Sequence, residues 1–422
     1  MREMKDSGIS WVGEIPKEWT IMPLYCFYSE RKNKNIFGAE NNLLSLSYGK
    51  VIRKDINTSE GLLPSNYNGY NIVEAGDIII RPTDLQNDKR SLRTGLSKER
   101  GIITSAYIAL KPKNGINSRF YHYLLHTYDI LKVFYNMGNG VRQGLNYDEF
   151  AKLMVYSPSD TEQQRIAEFL DRECGKIDGL KEDIQAQIDT LEQYKRSVIT
   201  EAVTHGLNPS APMKDSKVWY GQIPTEWKEL KGKYVFKQRN DRGNNVCLQL
   251  LSPTQKYGVI PQDKYEELTG MNAVKLNDST NYALLKTIHK GDYCISLRSF
   301  QGGFEYSEYE GVVSPAYQVF YPIITIADGY YKYLFKEKGF IDVMNSYTMS
   351  LRDGKNIAFD DFGDTFIPVP PLDEQQEIAD YLDNKCAEIE QIIADKKTQI
   401  ETLDGYKKSL IYEYVTGKKE VV

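Results

Sequence analysis

The sequence PSDTEQQRIAEFLDREC at residues 158–174 decides the fold, because it returns as PPLDEQQEIADYLDNKC at residues 370–386. Each stretch opens with proline, which is tolerated in the first turn of an α-helix but not in its interior. After each proline, apolar residues recur three and four positions apart over about 44 residues, the period of one helix face. The chain is therefore predicted to contain the same long helix twice.

The apolar positions of the two helices form a narrow stripe of the coiled-coil kind. Over about 66 Å of helix this stripe would be unstable in water, so each helix needs a partner. Two copies related by an approximate two-fold axis would run in opposite directions, and we predict an antiparallel pair ending at Gly206 and Gly417. The residues predicted to pack between the helices are Ile166, Leu170, Ile177, Leu180, Ile184, Leu191, Ile378, Leu382, Ile389, Ile392, Leu403 and Leu410.

The start of each helix carries a further signal. Thr161 with Gln164, and Asp373 with Gln376, have the spacing of a capping box, in which two side chains satisfy free N–H groups of the first turn. Both helices are therefore predicted to begin just after the prolines.

The repeat extends over the rest of the chain, at an offset of about 208 to 215 residues. WVGEIPKEW at 11–19 matches WYGQIPTEW at 219–227, and Gly-Asp-Ile at 76–78 matches Gly-Asp-Tyr at 291–293. These matches divide the chain into an N-terminal segment, two globular domains and two helical segments. The predicted boundaries are 1–22, 23–157, 158–213, 214–369 and 370–422.

Each globular domain combines short β-rich runs with a helical pattern. The sequence therefore predicts an α+β fold: two domains of mixed strands and helices, separated by two long antiparallel coiled-coil helices, in a pseudo-two-fold tandem repeat. The predicted elements are strands at 43–47, 77–81, 102–110 and 153–156 with a helix at 119–137, followed in copy two by 248–252, 293–298, 312–321 and 330–343 in the same order.

The net charge of -5 is unevenly distributed. Residues 158–213 carry 6 basic and 11 acidic side chains and residues 370–422 carry 7 and 12, whereas residues 23–157 carry 18 and 12. No stretch approaches the roughly 18 apolar residues of a membrane span, and residues 1–10 are polar, so a cytoplasmic protein is expected. The five cysteines are widely spaced and are expected to be reduced.

Catalytic and metal-binding patterns are weak. The chain contains no Gly-x-x-x-x-Gly-Lys phosphate loop, which argues against ATP hydrolysis. His122 and His126 are spaced as a helical metal pair, but no third ligand stands at a suitable distance in the sequence. We therefore expect neither a catalytic residue, nor a metal, nor a cofactor in this chain.

Three loops in each copy are rich in side chains that hydrogen-bond phosphates or base edges. Taken alone, each of these side chains could be an ordinary polar group that faces water, but the loops recur at equivalent places in both copies. The two copies differ most in the second loop, which is shorter in copy two. The sequence leaves open whether Arg298 of that loop contacts a base or a phosphate. The candidate DNA-binding residues are Tyr48, Lys50, Arg81, Gln86, Asn87, Lys89, Arg90, Arg93, Arg142, Gln143, Gln255, Lys256, Tyr257, Arg298, Ser299, Gln301, Arg352, Lys355 and Asn356.

Together these motifs resemble the specificity subunit of type I restriction-modification enzymes, over essentially the whole chain. The resemblance rests on the two Gly-x-Ile-Pro-x-Glu-Trp motifs at 13–19 and 221–227 and on the Glu-Gln-Gln helix starts. It implies that each globular domain is a target recognition domain for one half of a bipartite double-stranded DNA site, with the helices setting the spacer.

The same resemblance implies the partners. Two methyltransferase subunits would dock on the chain, restriction subunits would join through them, and S-adenosylmethionine, ATP and Mg²⁺ would belong to those partners. It also implies that the N-terminal segment folds back near the end of the C-terminal helix.

Other functions also fit parts of the pattern. The chain could serve another restriction-modification architecture whose partner combines methylation and cleavage, or it could be a tandem coiled-coil adaptor that binds only proteins. A nuclease would need clustered acids that the sequence does not identify.

Overall fold

The computed structural model describes residues 2–57, 66–83, 85, 92–135, 137, 144–217, 221–243, 248–271, 282–295, 303–347 and 357–421. The chain forms two compact units. Unit 1 comprises Met1–Gln185 with Lys397–Val422, and unit 2 comprises Ala186–Lys396. The sequence-based segments kept each long helix whole, whereas both helices are shared between the units. None of the described helices is long and apolar enough to cross a membrane.

Unit 1 contains twelve strands among its described residues. Its helices are α1 (Ser118–Ile130), α2 (Tyr147–Phe150) and the first part of α3 (Asp160–His205), with a 3₁₀ turn at Leu24–Cys26. The strands are β1 (Met4–Asp6), β2 (Glu14–Pro16), β3 (Thr20–Pro23), β4 (Tyr28–Glu30), β5 (Leu44–Ser47), β6 (Lys50–Arg53), β7 (Asn71–Val73), β8 (Ile78–Ile80), β9 (Thr94–Leu96), β10 (Gly101–Ile103), β11 (Ile108–Pro112) and β12 (Met154–Ser157).

Unit 2 contains the same number of strands in its described part. The helices are α4 (Gly232–Val235), α5 (Gln262–Thr269), α6 (Asp328–Leu334), α7 (Lys338–Ser346), α8 (Phe359–Asp364) and α9 (Leu372–Val415), with a 3₁₀ turn at Tyr282–Leu284. The strands are β13 (Met213–Asp215), β14 (Gln222–Pro224), β15 (Lys228–Lys231), β16 (Phe236–Arg239), β17 (Leu251–Thr254), β18 (Gly258–Pro261), β19 (Lys286–Ile288), β20 (Tyr293–Ile295), β21 (Phe304–Tyr306), β22 (Gly311–Val313), β23 (Gln318–Pro322) and β24 (Phe366–Val369).

The two units share one antiparallel topology. In unit 1 a four-stranded sheet of order β4-β11-β8-β9 is accompanied by the pairs β1-β2, β3-β12, β5-β6 and β7-β10. Unit 2 repeats this arrangement with each strand number raised by twelve, so that its four-stranded sheet has the order β16-β23-β20-β21. The prediction of two tandem domains of mixed strands and helices is confirmed.

Within unit 1, the parts of α3 and α9 run antiparallel. The Lys407 ammonium donates to Asp178 over 2.6 Å, and Lys181 pairs with Asp404. Moving forward by three residues on α3 thus moves back by three on α9. The ion pairs lie along the edge of the helix pair, where they fix its register.

Within unit 2, the remaining parts of the two helices make the matching contacts. Lys195 pairs with Glu390, which are the repeat equivalents of Lys407 and Asp178. In addition, Lys396 donates to the side chain of Gln187 over 2.5 Å. The same register-fixing ion pair is therefore present once in each unit.

Burial of the predicted stripe differs along its length. Leu180 and Ile392 are equivalent in the repeat, and they are 53% and 45% exposed, so the prediction that they pack between the helices is wrong. Ile393 is buried instead of its neighbour Ile392, which shows that the stripe turns by one position there. Ile184, Leu191 and Leu403 are half-buried, and the buried members are Ile166, Leu170, Ile177, Ile378, Leu382, Ile389 and Leu410.

Both sequence motifs of the resemblance meet at the start of each long helix. The indole N–H of Trp19 donates to the carboxylate of Glu162 over 2.9 Å, and Trp227 donates to Glu374 over 2.8 Å. Both indoles are fully buried, so each needs a hydrogen-bond acceptor. The glutamate of the Glu-Gln-Gln helix start therefore supplies the acceptor for the tryptophan of the Gly-x-Ile-Pro-x-Glu-Trp motif.

The first glutamine of each Glu-Gln-Gln run closes the turn before the helix. Gln163 Nε2 donates to the carbonyl of Pro158 over 3.0 Å, and Gln375 Nε2 donates to that of Pro370 over 2.9 Å. Both glutamines are buried. These bonds fix the short connection between the last strand of each domain, β12 or β24, and the long helix that follows it.

The N-terminal segment of unit 1 packs on the last turns of α9, as the resemblance implied. Val12, Ile15 and Trp19 share one hydrophobic core with Leu410 and Val415. Gly417 has a φ of +70°, and a Cβ there would lie 2.5 Å from the Pro16 ring, so both the turn and the close approach require glycine. Gly206, at φ +77° beside Trp227, plays the same part in unit 2.

Some details of the helix predictions are wrong. Helix α1 ends at Ile130 rather than at 137. The predicted helix at 330–343 is two helices, because Glu337 accepts the Phe340 N–H and caps a new start. The start of α3 is capped by Ser159, whose hydroxyl accepts the Glu162 N–H, and not by Thr161.

The start of α9 also differs from the predicted capping box. The helix begins at Leu372, directly after the two prolines, and Asp373 lies inside its first turn. The carbonyl of Pro371 accepts the first backbone bond, from Gln375. An acidic residue inside the first turn is favourable toward the positive end of the helix dipole.

Candidate nucleic-acid interface

The first candidate loop of unit 1 is a two-residue hairpin turn between β5 and β6. Ser47 pairs with Lys50, and the two turn residues, Tyr48 and Gly49, have positive φ of 45° and 78°. Two successive positive φ values define the type I′ turn, which matches the twist of the strands. A tyrosine in this conformation is rare, and here its side chain is 82% exposed at the tip.

The tip is supported from below by the rest of the domain. A Cβ on Gly49 would lie 3.1 Å from the Leu92 side chain, and Gly95 leaves room for Leu46 to cross it. The Lys50 ammonium lies 3.8 Å from Asp178 on α3. The hairpin therefore presents Tyr48 on a fixed backbone beside the long helix.

The matching hairpin of unit 2 joins β17 to β18 by three residues, Gln255, Lys256 and Tyr257. The hydroxyl of Thr254 accepts the Tyr257 N–H and donates to the carbonyl of Gly258, both over 3.0 Å. The Lys256 ammonium lies 4.8 Å from the centre of the Tyr257 ring. The two hairpins occupy equivalent places but differ in length and in the side chains that they offer.

The second candidate loop is only partly described. Arg93 is fully buried: its backbone bonds Asp129, and its guanidinium bonds Tyr135 and the carbonyl of Thr83. The prediction that Arg93 contacts DNA is therefore wrong, because its side chain has no exposed surface and its guanidinium is held by Tyr135 and Thr83. Arg81 lies opposite it, with a backbone bond of 2.9 Å to the Arg93 carbonyl.

The remaining candidates lie outside the described residues, and their DNA contacts stay predictions. They are Gln86, Asn87, Lys89 and Arg90 of the second loop in copy one, Arg298, Ser299 and Gln301 of that loop in copy two, and Arg142, Gln143, Arg352, Lys355 and Asn356 of the third loop.

The Gly-Asp motif has a structural role. The Arg31 guanidinium donates to Asp77 over 2.9 Å, and Arg239 donates to Asp292 over 2.8 Å. Each aspartate also accepts a backbone N–H of its own turn. Burial raises the pKa of Asp77, and the hydrogen bond from Arg31 opposes this rise. These arginines tie the central sheet of each unit to the turn.

One polar pair that the sequence does not indicate lies at the edge of a smaller sheet. In unit 1, Lys34 forms a single antiparallel bridge with Asn71 of β7. In unit 2, the equivalent bridge joins Arg242 to Lys286 of β19. At this position two cations face each other in unit 2, whereas a lysine faces an asparagine in unit 1. No periodicity in the sequence marks this pair, because the residues are 44 positions apart.

The two histidines of α1 are packed inside unit 1. Their ring centres are 6.0 Å apart, and within the described structure His122 Nε2 and His126 Nδ1 are buried with no hydrogen-bond partner. Burial is the main cause that lowers the pKa of His122 to about 3 and that of His126 to about 4. The described residues include no cluster of three or more His, Cys, Asp or Glu that could hold a metal.

The cysteines at equivalent points of the long helices are also buried. Cys174 and Cys386 lie beneath Tyr123 and Tyr333, whose hydroxyls donate to Asp171 and to Asp383. Burial raises the pKa of Cys174 to about 11 and also raises that of Cys386. Thiols held protonated in this way are poor nucleophiles. The four described cysteines, which exclude Cys247, form no disulfide.

Comparison with known proteins gives consistent matches. The family model for the type I restriction modification DNA specificity domain matches residues 30–190 and again 223–402. A putative type I restriction enzyme MjaX specificity subunit from Methanocaldococcus jannaschii is 22% identical, over 97% of this chain and 96% of its own.

Two solved structures also match. A chain from work on complex assembly and conformational transition of the type I R-M system superposes with a TM-score of 0.65 at 13% identity, covering 96% of this chain and 99% of that one. The HsdS subunit from Thermoanaerobacter tengcongensis gives a TM-score of 0.47 at 12% identity, covering 96% and 98%. The first of these chains shares the fold.

Proposed function

Because this chain belongs to the type I restriction-modification DNA specificity family and is a specificity subunit, we propose that each unit reads one half of a bipartite double-stranded DNA site. The single observation that carries this division is the pair of equivalent hairpins on one topology. The Tyr48 tip and the Gln255 to Tyr257 tip differ in length and chemistry. Different side chains on a shared scaffold are what two unlike half-sites require.

The long helices set the spacer and dock two methyltransferase subunits, through which restriction subunits join. Support comes from their charge, since residues 158–213 and 370–422 each carry five more acidic than basic side chains. Such surfaces repel DNA phosphates. Leu180 and Ile392, exposed at equivalent positions on these helices, are apolar contact points for a protein partner.

The chain itself recognises DNA and leaves the chemistry to its partners. S-adenosylmethionine, ATP and Mg²⁺ are proposed to belong to the methyltransferase and restriction subunits. The two hairpins offer hydrogen-bonding and aromatic side chains, Tyr48 in unit 1 and Gln255 to Tyr257 in unit 2, and such side chains suit recognition.

Tandem reading gains selectivity by linkage. One bidentate base contact discriminates by about 1–3 kcal/mol, so a short half-site is poorly selective alone. When both readers are joined by rigid helices, the second binding event is intramolecular. Selectivity then rises without any new contact.

Methylome sequencing tests the proposal directly. Cells that express this chain with its cognate methyltransferase are expected to carry adenine methylation in a split motif with two defined halves and an unread spacer. A continuous motif, or no methylation, would contradict it. The methyltransferase expressed alone is the control.

A further inference from the structure

The Arg242–Lys286 pair of unit 2 has a defined geometry. The Thr287 N–H donates to the Asp241 carbonyl over 3.0 Å, and the Gly243 N–H donates to the Leu285 carbonyl over 2.9 Å. Bonds on both sides of a facing pair mark the narrow, non-hydrogen-bonded position of an antiparallel ladder, with Cα atoms about 4.5 Å apart. The two side chains therefore project from the same face of the sheet.

Like charges directly opposite each other destabilise a sheet. Lys286 is only 8% exposed, and both burial and the nearby Arg242 lower the pKa of its ammonium. Arg242 donates to the Leu284 carbonyl over 2.6 Å, and Lys286 donates to the Tyr317 carbonyl over 2.7 Å. In the described part of unit 2 neither cation forms an ion pair with a carboxylate, so the repulsion is not neutralised.

Unit 1 supplies the comparison. Its equivalent position has the same flanking bonds, from the Ile72 N–H to the Asn33 carbonyl and from the Asn35 N–H to the Tyr70 carbonyl. Lys34 faces Asn71 there, so the same backbone arrangement forms with a neutral residue opposite the cation. A lysine at position 286 is therefore not needed for this fold. A second cation facing Arg242 instead indicates an anionic ligand.

We propose that Arg242 and Lys286 together bind a phosphate of the DNA backbone, next to the half-site that unit 2 reads. Two cations at one narrow cross-strand pair leave several N–H donors for one phosphate, and the phosphate removes their repulsion. The pair belongs to the same layer as the unit 2 hairpin, since β19 pairs with β22 and Leu250, directly before β17, bridges Val312 of β22. This inference rests on the proposed function.

The test uses the complex with its methyltransferase, with the Lys286→Gln and Arg242→Gln variants measured separately. Each variant is expected to bind cognate DNA about 3- to 10-fold more weakly and to lower the slope of log Kd against log salt by about one. The methylated motif should stay the same, because a phosphate contact carries no base information. Lys286→Gln should also raise the Tm of the DNA-free complex, since it removes the repulsion.

Lys34→Gln is the matched control for the Tm measurement, because no like charge faces Lys34 and no gain in Tm is expected. Unchanged affinity and salt slope in both variants, with normal binding by the wild type, would overturn the phosphate site and leave the proposed function standing. A change in one half of the methylated motif would overturn it in favour of a base contact. A wild-type complex without salt-dependent DNA affinity would overturn the proposed function itself.

Discussion

Deleting one turn from both long helices should shorten the DNA spacer by about two base pairs and leave both half-sites unchanged. The deletions are residues 184–187 of α3 and 396–399 of α9, which are equivalent at an offset of 212 residues. Four residues remove about 6 Å of helix, at 1.5 Å per residue. One base pair occupies about 3.4 Å, so the loss corresponds to about two base pairs.

The register of the helix pair should survive the double deletion. Four residues turn a helix by about 400°, which leaves the stripe displaced by only about 40°. The ion pairs Asp178–Lys407 and Lys195–Glu390 lie on opposite sides of the deletions. Their separation falls from 17 to 13 residues on both helices, so both pairs can form again.

Methylome sequencing of the deletion variant gives the spacer length and the sequences of both half-sites in one experiment. The deletion in α3 alone is the control, because it leaves 13 residues facing 17 and the two ion pairs cannot both form; loss of methylation is expected. An unchanged spacer in the double deletion, or altered half-sites, would show that the helices do not set the spacing.

Two further predictions concern stability. Glu374→Gln should weaken the charge-assisted hydrogen bond from Trp227 and lower the free energy of unfolding by about 1–3 kcal/mol. Glu162→Gln should lower it by more, because Glu162 also pairs with Arg2. Equal losses for the two variants in urea unfolding would contradict this. With pKa values of about 3 and about 4 in the folded protein, His122 and His126 stay neutral at pH 5, whereas both imidazoles are protonated in the unfolded chain. The free energy of unfolding should therefore fall as the pH drops below about 6.5, by about 2 kcal/mol per histidine at pH 5. Replacing both histidines with leucine should remove that part of the pH dependence in urea titrations at pH 7 and pH 5, and an identical slope in wild type and variant would show that the histidines titrate normally.

Local periodicity made much of the fold predictable. The three-and-four spacing located both long helices to within a few residues, because a helix face reads directly from the sequence. The internal repeat then gave each of these patterns a second, equivalent occurrence in the sequence. Contacts between distant residues were not predictable in this way: Trp19 and Glu162 are 143 positions apart, and their hydrogen bond appears in the sequence only as two separate motifs.

The candidate site was less predictable than the fold. Residue type alone cannot tell a cation that faces solvent from one enclosed by the core, and Arg93 is of the second kind because Tyr135 and Thr83 satisfy its guanidinium. Leu180 and Ile392 were placed in the helix seam because apolar spacing does not distinguish neighbouring faces of a helix. The Arg242–Lys286 pair became visible only with the strand register.

A domain exchange measures whether each unit reads its own half of the target. Residues 23–157 would be replaced by the corresponding domain of a specificity subunit with a different known target, and the methylome would be sequenced. If each unit reads its own half, one half of the motif changes to that of the donor, while the other half stays as it was. A change in both halves, or in neither, would contradict it.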